Sequence, residues 1–310
     1  MEMMFGTREK FDYLECGACG TVQIAEIPDL SRYYPENYYS FEAGTNSGLR
    51  ARLGRSLARA YVRARNDGAL GRLASAVPFI AKKIGILDLE LGVLDMGLGL
   101  ASVLRLRLSP DCRILDVGCG DGKLLSVLAE LGFKSLLGVD AFVDVDRTYP
   151  NGVCILKSDL EKVDGSFDLI MFHHSFEHLP DPAAALGSAR EKLEKGGVCL
   201  VRIPVAAYAW EKYGTNWVGL DPPRHLHLFS EKSFCRLAER EGFEVESVVY
   251  DSTSFQFWGS EQYLLDVPLM DKRPAAAMFT RRQIRDWAKE ARRLNLDGRG
   301  DQAAFYLKAK

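Results

Sequence analysis

Residues 114–125, ILDVGCGDGKLL, set an apolar run directly against a glycine-rich turn and then an amphipathic stretch. Ile114, Leu115 and Val117 read as a buried strand, Gly118, Cys119 and Gly120 as a turn where backbone approaches a ligand, and Leu124, Leu125 and Leu128 as the buried stripe of a helix. Strand, glycine turn and helix N-terminus together cradle a nucleotide-like small molecule. A dinucleotide fingerprint, G-x-G-x-x-G, would place its third glycine at position 123, where this chain has Lys123. Asp116, two residues before Gly118, would repel a pyrophosphate and attract an ammonium or a sulfonium. S-adenosylmethionine carries both of those cations and no phosphate.

Two further apolar runs end in acids. Leu136 to Val139 leads into Asp140, about twenty residues beyond the glycines, where a carboxylate can take two charge-assisted hydrogen bonds from a ribose diol. Val153 to Leu156 leads into Ser158 and Asp159. Three successive strands therefore finish in acids at the edge where open α/β sheets bind ligands. A fourth strand, Phe167 to Phe172, begins FDLIMFHHSFEHLPDP, and a fifth follows in EKLEKGGVCLVRIP. With these, the chain resembles the class I S-adenosylmethionine-dependent methyltransferases over about residues 110 to 250. The segment DPPRHLHLFSEKSFCRLAEREGFEV further resembles a bacterial subgroup acting on small molecules and sugars in surface-polysaccharide and secondary-metabolite synthesis.

That resemblance implies a Rossmann-like α/β fold, a seven-stranded sheet with helices on both faces, and S-adenosylmethionine as cofactor. Carried over position by position, it implies that Asp116, Gly118, Cys119 and Gly120 hold the methionine moiety and Asp140 with Ala141 the ribose. Ser158, Asp159 and Leu160 would hold the adenine, and His174 would lie near the cofactor. The last strand, Ala303 to Leu307, would run antiparallel to its neighbours.

Composition fits an enzyme: 310 residues, 47% apolar, with a formal net charge of −2. Near-neutrality argues against general nucleic-acid binding. The most apolar candidate for a spanning helix, Ile84 to Leu104, is interrupted by Asp88, Glu90 and Asp95, so none is expected. The start, MEMMFGTREKFDYLEC, lacks the pattern of a secretory signal, which points to a cytoplasmic protein whose seven cysteines stay reduced. Cys16 and Cys19 form C-x-x-C, half of a zinc ribbon. Zinc wants four ligands, and the other five cysteines fall on strands, in the glycine turn or on a helix, so no metal is expected and the motif reads as a hairpin turn.

Three segments follow in domain order. Residues 1–41 form a ribbon-like arm ending in SRYYPENYYSF, whose Tyr33, Tyr34, Tyr38 and Tyr39 could contact an acceptor or simply anchor a loop. Residues 42–108 read as a helical cap. Within it, 49–65 carries Arg52, Arg55, Arg59 and Arg63 on one face, suited to phosphates or to peripheral contact with an anionic membrane surface, or to plain solvation. Residues 109–310 form the catalytic domain, with an aromatic acceptor loop at 204–229.

Methyl transfer is an in-line displacement, and a hydroxyl acceptor must also lose a proton. Histidine suits that task, and all five fall in two groups: His173, His174 and His178, then His225 and His227. His225 is the first choice as base, with His174 beside the cofactor. Glu177 and His178 read as organisers of the following turn, and Arg224 as an anion clamp. The expected function is methyl transfer from S-adenosylmethionine to an oxygen of a small metabolite such as a sugar. Two rivals are a protein that binds the cofactor without turnover and a nicotinamide-dependent oxidoreductase, the latter disfavoured by Lys123 and Asp116.

Overall fold

The strands that the apolar runs anticipate form in a computed structural model, which describes residues 1–34, 99–271, 273 and 275–310. Tyr38, Tyr39, the basic face of 49–65 and nearly all of 42–108 lie outside the described residues. The strands are β1 (Tyr13–Glu15), β2 (Val22–Ile24), β3 (Arg113–Val117), β4 (Ser135–Val139), β5 (Arg147–Thr148), β6 (Cys154–Leu156), β7 (Phe167–His173), β8 (Leu193–Pro204), β9 (His227–Leu228), β10 (Phe243–Tyr250) and β11 (Gln302–Ala309). Eight of them make one sheet in the order β10-β11-β8-β7-β3-β4-β6-β5, and three make another, β1-β2-β9. The chain divides into two compact units, one of Glu36–His173 with Glu191–Leu200, the other of Met1–Pro35, His174–Arg190 and Val201–Lys310.

In the first unit, β3 is central and pairs in parallel with β4 and β7, so Asp116 lies level with Gly138 on one side and Met171 on the other. Parallel strands covered on both faces must be apolar throughout, and Ile114, Leu115, Leu169 and Ile170 are fully buried. The helix Lys123–Leu131 buries Leu124, Leu125 and Leu128, the stripe its spacing predicts, and extends it to Leu131. Gly138 leaves no room for a side chain, because a Cβ there would lie 2.5 Å from Cys119 Sγ and 2.9 Å from Leu125 Cδ1. The sheet also has one strand more than expected. Asn151-Gly152 turns the chain back, with Gly152 at φ 86° and Tyr149 N–H donating to Val153 O at 2.8 Å, so β5 pairs antiparallel with β6.

In the second unit, β11 pairs antiparallel with β10, Val245 opposite Leu307, as the family resemblance implied. The helix Glu231–Arg240 starts where Ser230 Oγ accepts the Ser233 N–H, and the helix Arg281–Leu296 starts on a capping box of Thr280 and Gln283. The C-x-x-C is the turn of the β1–β2 hairpin: Cys16 N–H donates to Thr21 O, and Gly20 N–H to Cys16 O. Residues 1–35 belong to this unit because β2 pairs antiparallel with β9, Val22 opposite Leu228. Segment 204–229 runs through a short helix, Tyr208–Tyr213, and two 3-10 turns that flank a fully buried Trp217. Trp217 Nε1–H donates to Asp301 Oδ2 at 3.0 Å, anchoring the segment to the residue just before β11.

Burial pushes the Asp301 carboxyl up from its ordinary value of 3.8 to about 6, although Trp217 and Ser252 both favour its charged form. The native state therefore holds this proton over a range in which the unfolded chain has released it. That contribution to stability is complete below the unfolded value and is lost as pH rises through about 6. Chemical unfolding across this range should show Asp301→Asn flattening the fall in stability with rising pH, since an amide still accepts from Trp217 and cannot ionise.

Candidate functional site

Strand β3 ends in a turn that only glycine tolerates comfortably, Gly118 at φ 72° and Gly120 at φ 54°. Gly118 and Cys119 N–H both donate to Val139 O, at 2.7 and 3.2 Å, which fastens the turn to the end of β4. Asp140 completes the fastening: Oδ2 accepts Gly120 N–H at 2.9 Å and Oδ1 accepts Phe142 N–H at 2.8 Å. Asp116 is 3% exposed, and its side chain takes no hydrogen bond from any described residue. Burial, and then the charge of Asp140, push its carboxyl well above the usual range. Lys123, standing where a dinucleotide site has glycine, reaches Asp121 at 3.7 Å.

The remaining cofactor candidates line the same unit. Ala141 is exposed, Leu160 is buried, and Cys119 is half-buried with its thiol pushed up by burial. Asp159 starts the 3-10 turn Leu160–Lys162 and pairs with Lys162 Nζ at 2.7 Å, while Ser158 Oγ donates to Asp159 O at 3.2 Å.

His173 belongs to the first unit, whereas His174, His178 and His225 gather in the other unit around Glu177, which is fully buried. His174 follows β7 at φ 51°, an unusual conformation for a non-glycine residue, and its Nδ1 lies 3.3 Å from Glu177 Oε1. His225 Nε2 lies 3.8 Å from the same oxygen, and the His178 and His225 rings meet edge to face with centroids 4.8 Å apart. His178 Nδ1 contacts Arg224 O at 2.8 Å and Tyr34 Oη at 3.1 Å, and His225 Nδ1 contacts Gly219 O at 2.8 Å. Burial opposes charge on Glu177, yet chiefly the His174 hydrogen bond brings its carboxyl down to about 2. Burial holds His178 below its usual value, in the neutral form. His227 stands apart, stacked on Phe229 and 3.4 Å from Pro180 O.

Arg224 is not an open anion clamp. Its guanidinium is fully buried, donating to Asp221 at 2.5 and 2.9 Å and to Glu2 Oε1 at 3.0 Å. Glu2 in turn accepts Phe5 and Thr7 N–H, both at 2.9 Å. Glu2 and Asp221 carry no signal in the sequence, since a glutamate at position 2 and an aspartate before two prolines read as exposed. Tyr34 reaches His178, whereas Tyr33 Oη donates to Glu9 at 2.6 Å. The C-x-x-C turn borders a separate groove of about 580 Å³ lined also by His227, Phe229 and Arg240.

Residues 69–248 match a family model described as a methyltransferase domain. Ubiquinone biosynthesis O-methyltransferase of Xanthomonas campestris pv. campestris (strain B100) is 26% identical over 167 residues, 46% of this chain and 68% of that protein. The enzyme of the same name from Cereibacter sphaeroides (strain ATCC 17025 / ATH 2.4.3) is 33% identical over 133 residues, 38% of this chain and 53% of its own length, so the match spans about half of that relative. Among solved structures, a SAM-dependent methyltransferase from Thermotoga maritima, titled a possible histamine N-methyltransferase, is 22% identical, with 69% of this chain and 89% of that chain covered and a TM-score of 0.43.

Breaking a buried ion pair strands its partners. Arg224→Met should cost about 3–5 kcal/mol by leaving Glu2 and Asp221 buried and unpaired. A urea unfolding midpoint unchanged from wild type would show that the pair is not formed.

Proposed function

The chain belongs to the methyltransferase-domain family and is an S-adenosylmethionine-dependent methyltransferase, and we propose that it methylates a hydroxyl oxygen of a small-molecule acceptor, a sugar or related biosynthetic precursor. Bound S-adenosylmethionine supplies an electrophilic methyl on a sulfonium.

The residues at the ends of β3 and β4 suit that cofactor. Asp116 is a buried carboxyl that wants a positive partner and has none among the described residues; the cofactor's ammonium or sulfonium would relieve the cost of its charge. Asp140 uses one lone pair of each oxygen on backbone, and a carboxylate has about four acceptor positions, which leaves two for a ribose diol. Gly118 and Gly120 keep the turn free of side chains where the cofactor backbone would pass, and Asp159 with Leu160 would meet the adenine.

One observation carries the choice of oxygen: the His174–Glu177 pair. The carboxylate is ionised and can only accept, so His174 Nδ1 carries the hydrogen and Nε2 is left with a lone pair. An imidazole held in that tautomer, with its side chain 33% exposed, is built to take a proton from a hydroxyl. His225 is 12% exposed and its Nε2 faces carboxylates, so His174 is the better base of the two. Relatives named as O-methyltransferases support the same reading.

A screen of hydroxylated sugars and phenols, reading S-adenosylhomocysteine formation, tests the proposal; methylation at nitrogen or carbon alone would overturn it. Asp140→Ala should weaken S-adenosylmethionine binding about tenfold to a hundredfold, the worth of a lost charge-assisted hydrogen bond. His174→Asn, a residue that tolerates positive φ, should lower kcat about 100- to 10,000-fold while the cofactor Kd stays unchanged. A matched loss of binding and turnover in that variant would assign His174 to the cofactor instead.

A further inference from the structure

Glu177, His178 and His225 each present one donor atom, and the three atoms lie within 4.8 Å of one another. The hydrogens of both rings are accounted for elsewhere. His178 Nδ1 meets the Arg224 carbonyl and His225 Nδ1 meets the Gly219 carbonyl, each at 2.8 Å. A carbonyl only accepts, so in the neutral rings each Nδ1 carries the hydrogen and each Nε2 keeps a bare lone pair. His225 Nε2 stands 3.8 Å from Glu177 Oε1 and 3.9 Å from Asp221 Oδ2, which are acceptors too. Glu177 Oε2 is buried and takes no hydrogen bond from any described residue.

Such a convergence of acceptors, with no hydrogen to share among them, is repulsive in a low-dielectric interior unless a positive charge sits among them. The surrounding charges lean the same way, because Glu2 and Asp221 already share the guanidinium of Arg224, and Glu177 has only imidazoles against its carboxylate among the described residues. A ring whose far N–H is fixed by a backbone carbonyl is also how ligating histidines are usually held.

We propose that Glu177, His178 and His225 bind one divalent transition-metal ion, with Asp221 at the edge of the site. Two imidazoles and one carboxylate suit zinc and its neighbours in the first transition row; magnesium and calcium prefer all-oxygen sets. The unpartnered Oε2 of Glu177 is free to ligate, so Oε1 can keep its bond to His174. The ion joins the turn after β7 to the segment Asp221–His225, two stretches also linked by the His178 Nδ1–H to Arg224 O and Leu226 N–H to Glu177 O hydrogen bonds. The inference stands on these residues alone and does not depend on the acceptor proposed above.

The test is equilibrium dialysis of the chelator-stripped full chain against Zn²⁺, and separately Co²⁺, with bound metal quantified, cobalt absorption recorded and the thermal midpoint followed. One ion per chain, a raised midpoint and a cobalt spectrum of nitrogen and oxygen ligands are expected. His225→Gln and Glu177→Gln should each weaken binding about 100-fold or more, since even outer-sphere partners are worth 10- to 100-fold. A Cys16→Ser, Cys19→Ser double variant should bind as wild type does. Wild-type protein that takes up no stoichiometric ion overturns the proposal even if a variant fails to fold. So does an ion that survives His225→Gln and is lost from the double cysteine variant, since it would then sit on the hairpin thiols.

Discussion

The tight fastening of the turn after β3 to the end of β4 is the constraint on which the glycine turn and the acids beside it depend. Gly118, Cys119 and Gly120 can donate to Val139 O and Asp140 only if the strands run in parallel at close range, and Gly138 permits that range by having no side chain. Leu125 and Cys119 fill the space a larger residue at 138 would need. Once the turn is fixed, the helix Lys123–Leu131 must leave in one direction, with its leucine stripe on the sheet. Asp116 is then buried with Asp140 near enough to add to the cost of its charge. A site so arranged favours a cation over a phosphate, which separates a methyltransferase from a nicotinamide enzyme on the same general fold.

Much of this was legible because it is local. The strand, the glycines and the helix stripe are contiguous, and each carries its own periodicity or backbone requirement. The capped helix Glu231–Arg240 and the terminal antiparallel strand β11 were legible for the same reason, from Ser230, Gly242 and the apolar run from Ala303 to Leu307. The extra strand β5 is only two residues long and too short for any periodicity; its one available signal was the Asn151-Gly152 turn.

The histidine cluster was legible only in part. Reading HHSFEH and PRHLH as two groups found the right residue types, but not the carboxylate that joins them. Glu177 looks like any acid in a turn, yet it is fully buried and faces His225 from the later segment. Glu2 is further still, meeting Arg224 across 222 positions. The sequence pointed to His225 first as base, with His174 beside the cofactor; in the fold the His174 ring is the more accessible of the two. The positive φ of His174 was not readable at all, since nothing about a histidine after a strand announces it.

The central claim is that the charge pattern around Asp116 and Asp140 selects a sulfonium nucleotide. Calorimetric titration of the purified protein with S-adenosylmethionine, S-adenosylhomocysteine and NAD tests it most directly. Binding of both sulfur nucleotides, with no heat from NAD, is the predicted result; binding of NAD alone would contradict the account.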